Sequence, residues 1–170
     1  MRYVALWRGI NVGKAKRIAM ADLKALLTEL GATNVTTLLN SGNAVFDAKK
    51  QLSADRLRAV VAERLGVDAA VVLKTAAQWH AIAAEPPFPE AEDPSRLLVA
   101  ITADAAALKA AEGIVTAGDE RCTVTPHAAY LWCAQGILES KAGVQLLKKL
   151  GEGGTTRNWA TVQKLRALLD

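Results

Sequence analysis

The sequence is poor in the residues that carry most side-chain chemistry, with two histidines and two cysteines among 170 residues. Two cysteines cannot supply the four ligands of a structural zinc site. No metal-ligand cluster, paired-carboxylate motif or Ser-His-Asp order stands out beside them. His80 and His127 read as isolated surface or packing residues, so no cofactor, metal or acid–base pair is indicated. Long apolar runs are missing too: nothing approaches the roughly 18–20 residues that span a bilayer. The run Val4–Trp7 stops at Arg8, too short for a secretory core. A soluble protein in a reducing cytoplasm is the expectation, with no membrane partner.

What is present suits a packed core. Hydrophobic residues make up 51% of the chain. Much of that is alanine, so the bulk should come from Leu, Val, Ile and the four tryptophans. A net charge of +4 leans basic without the dense charge of a committed nucleic-acid binder.

The pattern along the chain predicts an α+β fold in two related halves. Residues 1–74 read as strand, helix, strand, strand, helix, strand, the βαββαβ order of a ferredoxin-like half. Leu23, Leu26, Leu27 and Leu30 mark one helix face, and Gly31 ends it. Ser53 is placed to cap the second helix, and Gly66 to close it. Residues 75–95 read as a linker helix and an acidic proline-rich connector, with four prolines between 86 and 94. Residues 96–170 repeat β-α-β-β-α, with the final strand replaced by an extra helix from about Arg157 to Leu169. Within that half, a hairpin turning at His127-Ala128 would set Cys122 opposite Cys133, as reduced packing partners.

Three loops carry glycine beside polar or basic residues. The first, Arg8-Gly9-Ile10-Asn11-Val12-Gly13-Lys14, follows a strand but is no Walker A loop. Three residues separate its glycines where four are needed, and Ala15 replaces the Ser or Thr that would ligate magnesium. Arg8, Lys14, Lys16 and Arg17 nonetheless fall within ten residues that hold no acid. Glycine lets backbone N–H groups approach an anion, and arginine offers a two-pronged donor. The second loop, Ser41-Gly42-Asn43, is a turn signal between strands. The third runs from Gly153 through Thr156, Arg157 and Asn158 to Trp159. There Thr155 or Thr156 is expected to cap the last helix, leaving Arg157 in its first turn.

These segments together resemble a bacterial family, the domain-of-unknown-function family 1697. The resemblance starts at Tyr3–Gly13 and passes through Met20, Leu23, Leu27, Gly31 and Asn34-Val35 to Ser41–Phe46. It returns at Gly136, Ser140-Lys141 and Thr156–Val162. Lys14 stands where that family usually has a second glycine. The resemblance implies an α+β fold and a bacterial source, and it brings no activity with it.

Two functions are compatible with the loops. One is binding of an anionic ligand, nucleic acid first, through Arg8, Gly9, Asn11, Gly13, Lys14, Ser41, Gly42, Asn43, Lys141, Thr156, Arg157 and Asn158. The other is an enzyme acting on a small phosphorylated or carboxylated metabolite in a cleft between the halves. Oligomeric state is not legible in the sequence.

Overall fold

The computed structural model describes residues 1–84, 88 and 93–170. The proline-rich connector expected over 85–94 lies mostly outside the described residues. The chain divides into two compact units, Met1–Trp79 with Ala167–Asp170, and His80–Arg166.

In the first unit the order is β1 (Arg2–Trp7), α1 (Met20–Glu29), β2 (Thr33–Leu38), β3 (Asn43–Asp47), α2 (Ala54–Leu65) and β4 (Val71–Thr75). The sheet is β2-β3-β1-β4 and antiparallel throughout. This is the ferredoxin-like arrangement, in which β3 lies between the two strands that α1 connects. Alternation puts Tyr3, Ala5 and Trp7 on one face of β1, where they meet Leu23 and Leu27 of α1 and Leu57 and Val61 of α2. Tyr3 and Phe46 face each other across β1 and β3 with ring centroids 5.9 Å apart. Ser53 caps α2 by accepting from the Arg56 N–H, and Gly66 ends it in the left-handed region.

After α3 (Ala76–Ala83) come β5 (Leu97–Thr102), α4 (Ala105–Leu108), β6 (Arg121–Val124), β7 (Ala129–Trp132), α5 (Lys141–Leu150), β8 (Gly154–Asn158) and α6 (Trp159–Leu169). The second sheet is β6-β7-β5-β8, the same relative order as the first. Its core gathers Leu98 and Ala100 of β5, Leu131 of β7, and Leu146 and Leu150 of α5. The α+β fold with two related halves is therefore present. The second half is more complete than its sequence pattern suggested, because residues 154–158 form a fourth strand paired with β5 before the extra helix begins.

Two local expectations change. The first helix of the second half's β-α-β-β-α pattern, which the sequence carries from Asp104 to Val115, is one α-turn capped by Asp104, continued by a 3-10 segment at Lys109–Gly113. The hairpin turns at Pro126-His127, since Thr125 and Ala128 already pair, the Thr125 N–H donating to the Ala128 carbonyl at 2.9 Å. That shift of one residue sets Cys122 opposite Leu131 instead of Cys133. The two thiols are free and share one apolar cluster, with Cys133 buried and Cys122 packed at its edge. No helix of the described residues is long and apolar enough to cross a membrane.

Candidate functional site

The loop between β1 and α1 is held by its own backbone and by Asn11. Arg8 donates its backbone N–H to Ala70, and Trp7 donates to Gly42, which fixes the loop's first end against β4 and the β2–β3 turn. Asn11 takes a left-handed conformation at φ 56°. Its N–H donates to the Lys16 carbonyl at 2.9 Å. Its side-chain amide donates to the carbonyls of Ile18 and Asn40, both at 2.8 Å, and its Oδ1 accepts from the Ile18 N–H at 2.8 Å. One carboxamide thus ties together both ends of the loop and the neighbouring turn. Arg17 reinforces the same curl by donating to the carbonyls of Asn11 and Gly13.

Gly42 answers a packing need. At φ 92° it is buried, and a Cβ there would lie 2.6 Å from Ile10 Cδ1 and 3.1 Å from Trp7 Cβ. Asn43 is fully buried, and its side-chain amide donates to the Leu38 carbonyl and to Ser41 Oγ. The two asparagines, chosen from the sequence as ligand contacts, are thus engaged with the protein's own backbone. Arg8, Gly9, Asn11, Gly13, Lys14, Ser41, Gly42 and Asn43 all belong to the first unit.

What the loop presents outward is charge. Gly9, Val12, Gly13, Lys14, Ala15, Lys16, Arg17 and Ser41 are exposed, and no acid occurs before Asp22. Asp68 senses the loop: it is held below the usual carboxylate range first by its bond to Arg58, with a smaller contribution from Lys16. Arg58 engages both Asp68 oxygens, at 2.6 and 3.1 Å. Across the whole first unit twelve Lys and Arg stand against seven Asp and Glu. In the second unit nine stand against ten, so the protein's positive charge lies in the first.

The remaining predicted residues, Lys141, Thr156, Arg157 and Asn158, belong to the second unit. Neither Thr155 nor Thr156 caps the last helix: both are in β8, and Asn158 caps α6, its Oδ1 accepting from the Thr161 N–H at 2.9 Å. Arg157 accordingly sits in the strand opposite Val99, not in a helical turn. The physical reason is register, because residues 154–158 complete the edge beside β5, and β-branched threonines suit a pleated surface. Arg157 is buried and donates to Thr155 Oγ1 and the Thr156 carbonyl. Burial pulls its guanidinium down to about 10, still protonated at neutral pH. Lys141 is exposed at the start of α5, just after the Ser140 cap.

Asn158, next to Arg157 on the strand, borders a hollow of about 580 Å³ together with Ser95, Arg96 and the loop from Gln135 to Glu139. Arg96 and the Gln135–Glu139 loop were missed as site residues. Arg96 was legible only as the start of a strand, and Gly136, at φ 97°, was visible as a motif residue without a location. Among the described residues no group of three or more His, Cys, Asp and Glu could hold a metal ion.

The fold and its loops define a class: a duplicated ferredoxin-like α+β protein with a basic, hydrogen-bonded loop after its first strand. The chain belongs to the family described as protein of unknown function (DUF1697), which matches residues 1–130. Among solved structures it is similar to a conserved bacterial protein from Streptococcus pneumoniae, with a TM-score of 0.76 and 21% identity over 99% of this chain and 98% of that one. No curated protein matches the chain at a significant level.

Proposed function

We propose that the β1–α1 loop is an anion-binding site, with nucleic acid as its leading ligand, recognised through phosphates. The observation that carries this reading is the exposure of Lys14, Lys16 and Arg17 on one pinned loop, within a stretch that holds no acid from residue 1 to 21. Base stacking on the sheet has no support, since Tyr3, Trp7 and Phe46 are core residues. Contacts of this kind position a phosphate chain and read no sequence. Two thiols kept free in one apolar cluster support a cytoplasmic setting.

Binding to a mixed duplex pool, followed by fluorescence anisotropy over a salt series, tests the proposal. Three phosphate contacts give a log–log slope of about −2.7, so affinity should fall roughly 40-fold between 50 and 200 mM salt. The double variant Lys14→Gln/Lys16→Gln leaves the loop-bracing Arg17 in place, and its slope should shrink to about −1. Salt-independent binding, or none, would end this reading.

A second reading rests on the hollow beside Asn158. Ser95, Arg96 and Asn158 line it beside Asp93 and Glu139, so a small phosphorylated or carboxylated metabolite, the substrate class of an enzyme, would bind there by taking Arg96 from its 3.4 Å pair with Asp93. A thermal-shift screen of such metabolites separates the two readings. A true ligand at 100 times its Kd adds about 2.7 kcal/mol of stability. Its effect should vanish in Arg96→Gln and persist in Lys14→Gln/Lys16→Gln.

A further inference from the structure

A concavity of a different chemical kind lies in the first unit. It lies between the end of α1 and the segment that leads into α2, with a volume of about 280 Å³. Leu27, Leu30, Ala32, Ala48, Leu52 and Leu57 make its apolar wall, and Lys49 and Lys50 stand at it side by side. Both lysines are exposed, and neither hydrogen-bonds or ion-pairs with another described residue. No acid lines the pocket. An apolar hole with two free ammonium groups and no carboxylate is complementary to a molecule that is greasy at one end and anionic at the other.

We propose that this pocket binds a small apolar carboxylate, its chain among Leu27, Leu30, Leu52 and Leu57 and its carboxylate at Lys49 and Lys50. Size decides the class of occupant. At about 280 Å³ the pocket is at the small end of the range for ligand pockets, which suits a medium-chain acid. An α-helix, about 10 Å across with its side chains, does not fit. Polarity decides the direction. The positive charge is that of Lys49 and Lys50, whereas the α1 end presents carbonyls. Those of Leu26, Leu27 and Thr28 already accept from Leu30, Ala32 and Gly31, so that end offers an apolar surface to the chain. Asp55, in the first turn of α2, is exposed and not part of the wall.

The test is an amide-resolved NMR titration of the full chain with octanoate, with octanol as the same chain without charge, and with vesicles containing anionic lipid. Octanoate should saturably shift the amides of Leu30, Gly31, Ala32 and residues 48–52. It should bind at least about threefold more tightly than octanol, the increment two partly exposed charges can add. In Lys49→Glu/Lys50→Glu, a surface change that leaves the core intact, that preference should disappear while octanol still binds. No saturable shift at these amides would overturn the proposal, as would equal affinity for the acid and the alcohol. So would shifts given only by vesicles, which would make the face a membrane contact, or shifts that follow protein concentration alone, which would make it a contact between copies.

Discussion

Asn11, at φ 56°, directs one carboxamide to the Ile18 carbonyl and N–H and to the Asn40 carbonyl. Asparagine tolerates the left-handed region better than other residues with a Cβ, and its amide can satisfy two kinds of backbone group at once. Asn11→Ala should cost about 1–3 kcal/mol in urea unfolding, because the part-buried Ile18 N–H and carbonyl lose their partner and alanine is disfavoured at a positive φ. It should also speed amide exchange across residues 9–19 while leaving α2 protected. Gly42 makes a sterner demand, with Ile10 Cδ1 only 2.6 Å from where a Cβ would go. Gly42→Ala combines that overlap with an unfavourable φ, so a loss of about 2–4 kcal/mol is expected, read from the urea midpoint. Both positions were picked from the sequence for their chemistry as ligand contacts. Residue type and turn propensity were legible there, but which groups Asn11 would bond depended on Asn40 lying beside it, a contact 29 positions away.

At the scale of elements, periodicity was the legible signal and register the weak one. The leucine face of α1 and the Ser53 and Gly66 boundaries of α2 follow from local chemistry, so the sequence placed them. The stretch Thr155–Asn158 offered two local solutions, a helix cap or a strand, and only the pairing with β5 chooses between them. In the hairpin, a turn displaced by one residue moved Cys122 from Cys133 to Leu131. The same strand supplies a buried phenol: Tyr130 donates to the Ile82 carbonyl at 2.7 Å and packs edge-on against Trp159 at 6.2 Å. Burial pushes its ionisation up from 10 to about 12. The neutral phenol is therefore favoured in the folded state, a contribution complete below pH 10 and lost as pH rises through about 12. The difference in phenolate absorbance between wild type and Tyr130→Phe should accordingly rise near pH 12. In Tyr130→Phe the thermal midpoint should decline less between pH 10 and 12, whatever its starting value.

For the whole molecule, the two halves share a strand order while their charge does not follow the duplication. The excess of cations in the first unit and the near balance in the second mean that the same scaffold has been given different surfaces. The first unit is also not closed by its own continuous stretch of sequence, since it includes Ala167–Asp170. Arg2 shows how those residues are held: one guanidinium nitrogen donates to the Leu168 carbonyl at 2.8 Å, and the other pairs with Asp47 at 3.1 Å. Asn34 and then Arg2 keep the Asp47 carboxyl below its ordinary range. Such a pair, partly exposed, adds at most about 1 kcal/mol by itself. Together with the bonds between Met1 and Ala48, it is expected to hold the start of β1, the strand on which both β3 and β4 are built. Removing residues 167–170 should therefore release Arg2 from one of its two partners and raise amide exchange first at Tyr3 and at its partners Phe46 and Thr75. The effect should spread along β1 toward Trp7 only as exchange approaches global unfolding. Protection at Tyr3 that is unchanged by the deletion would mean that the paired strands alone hold this edge and that the bond from Arg2 to Leu168 contributes nothing to it.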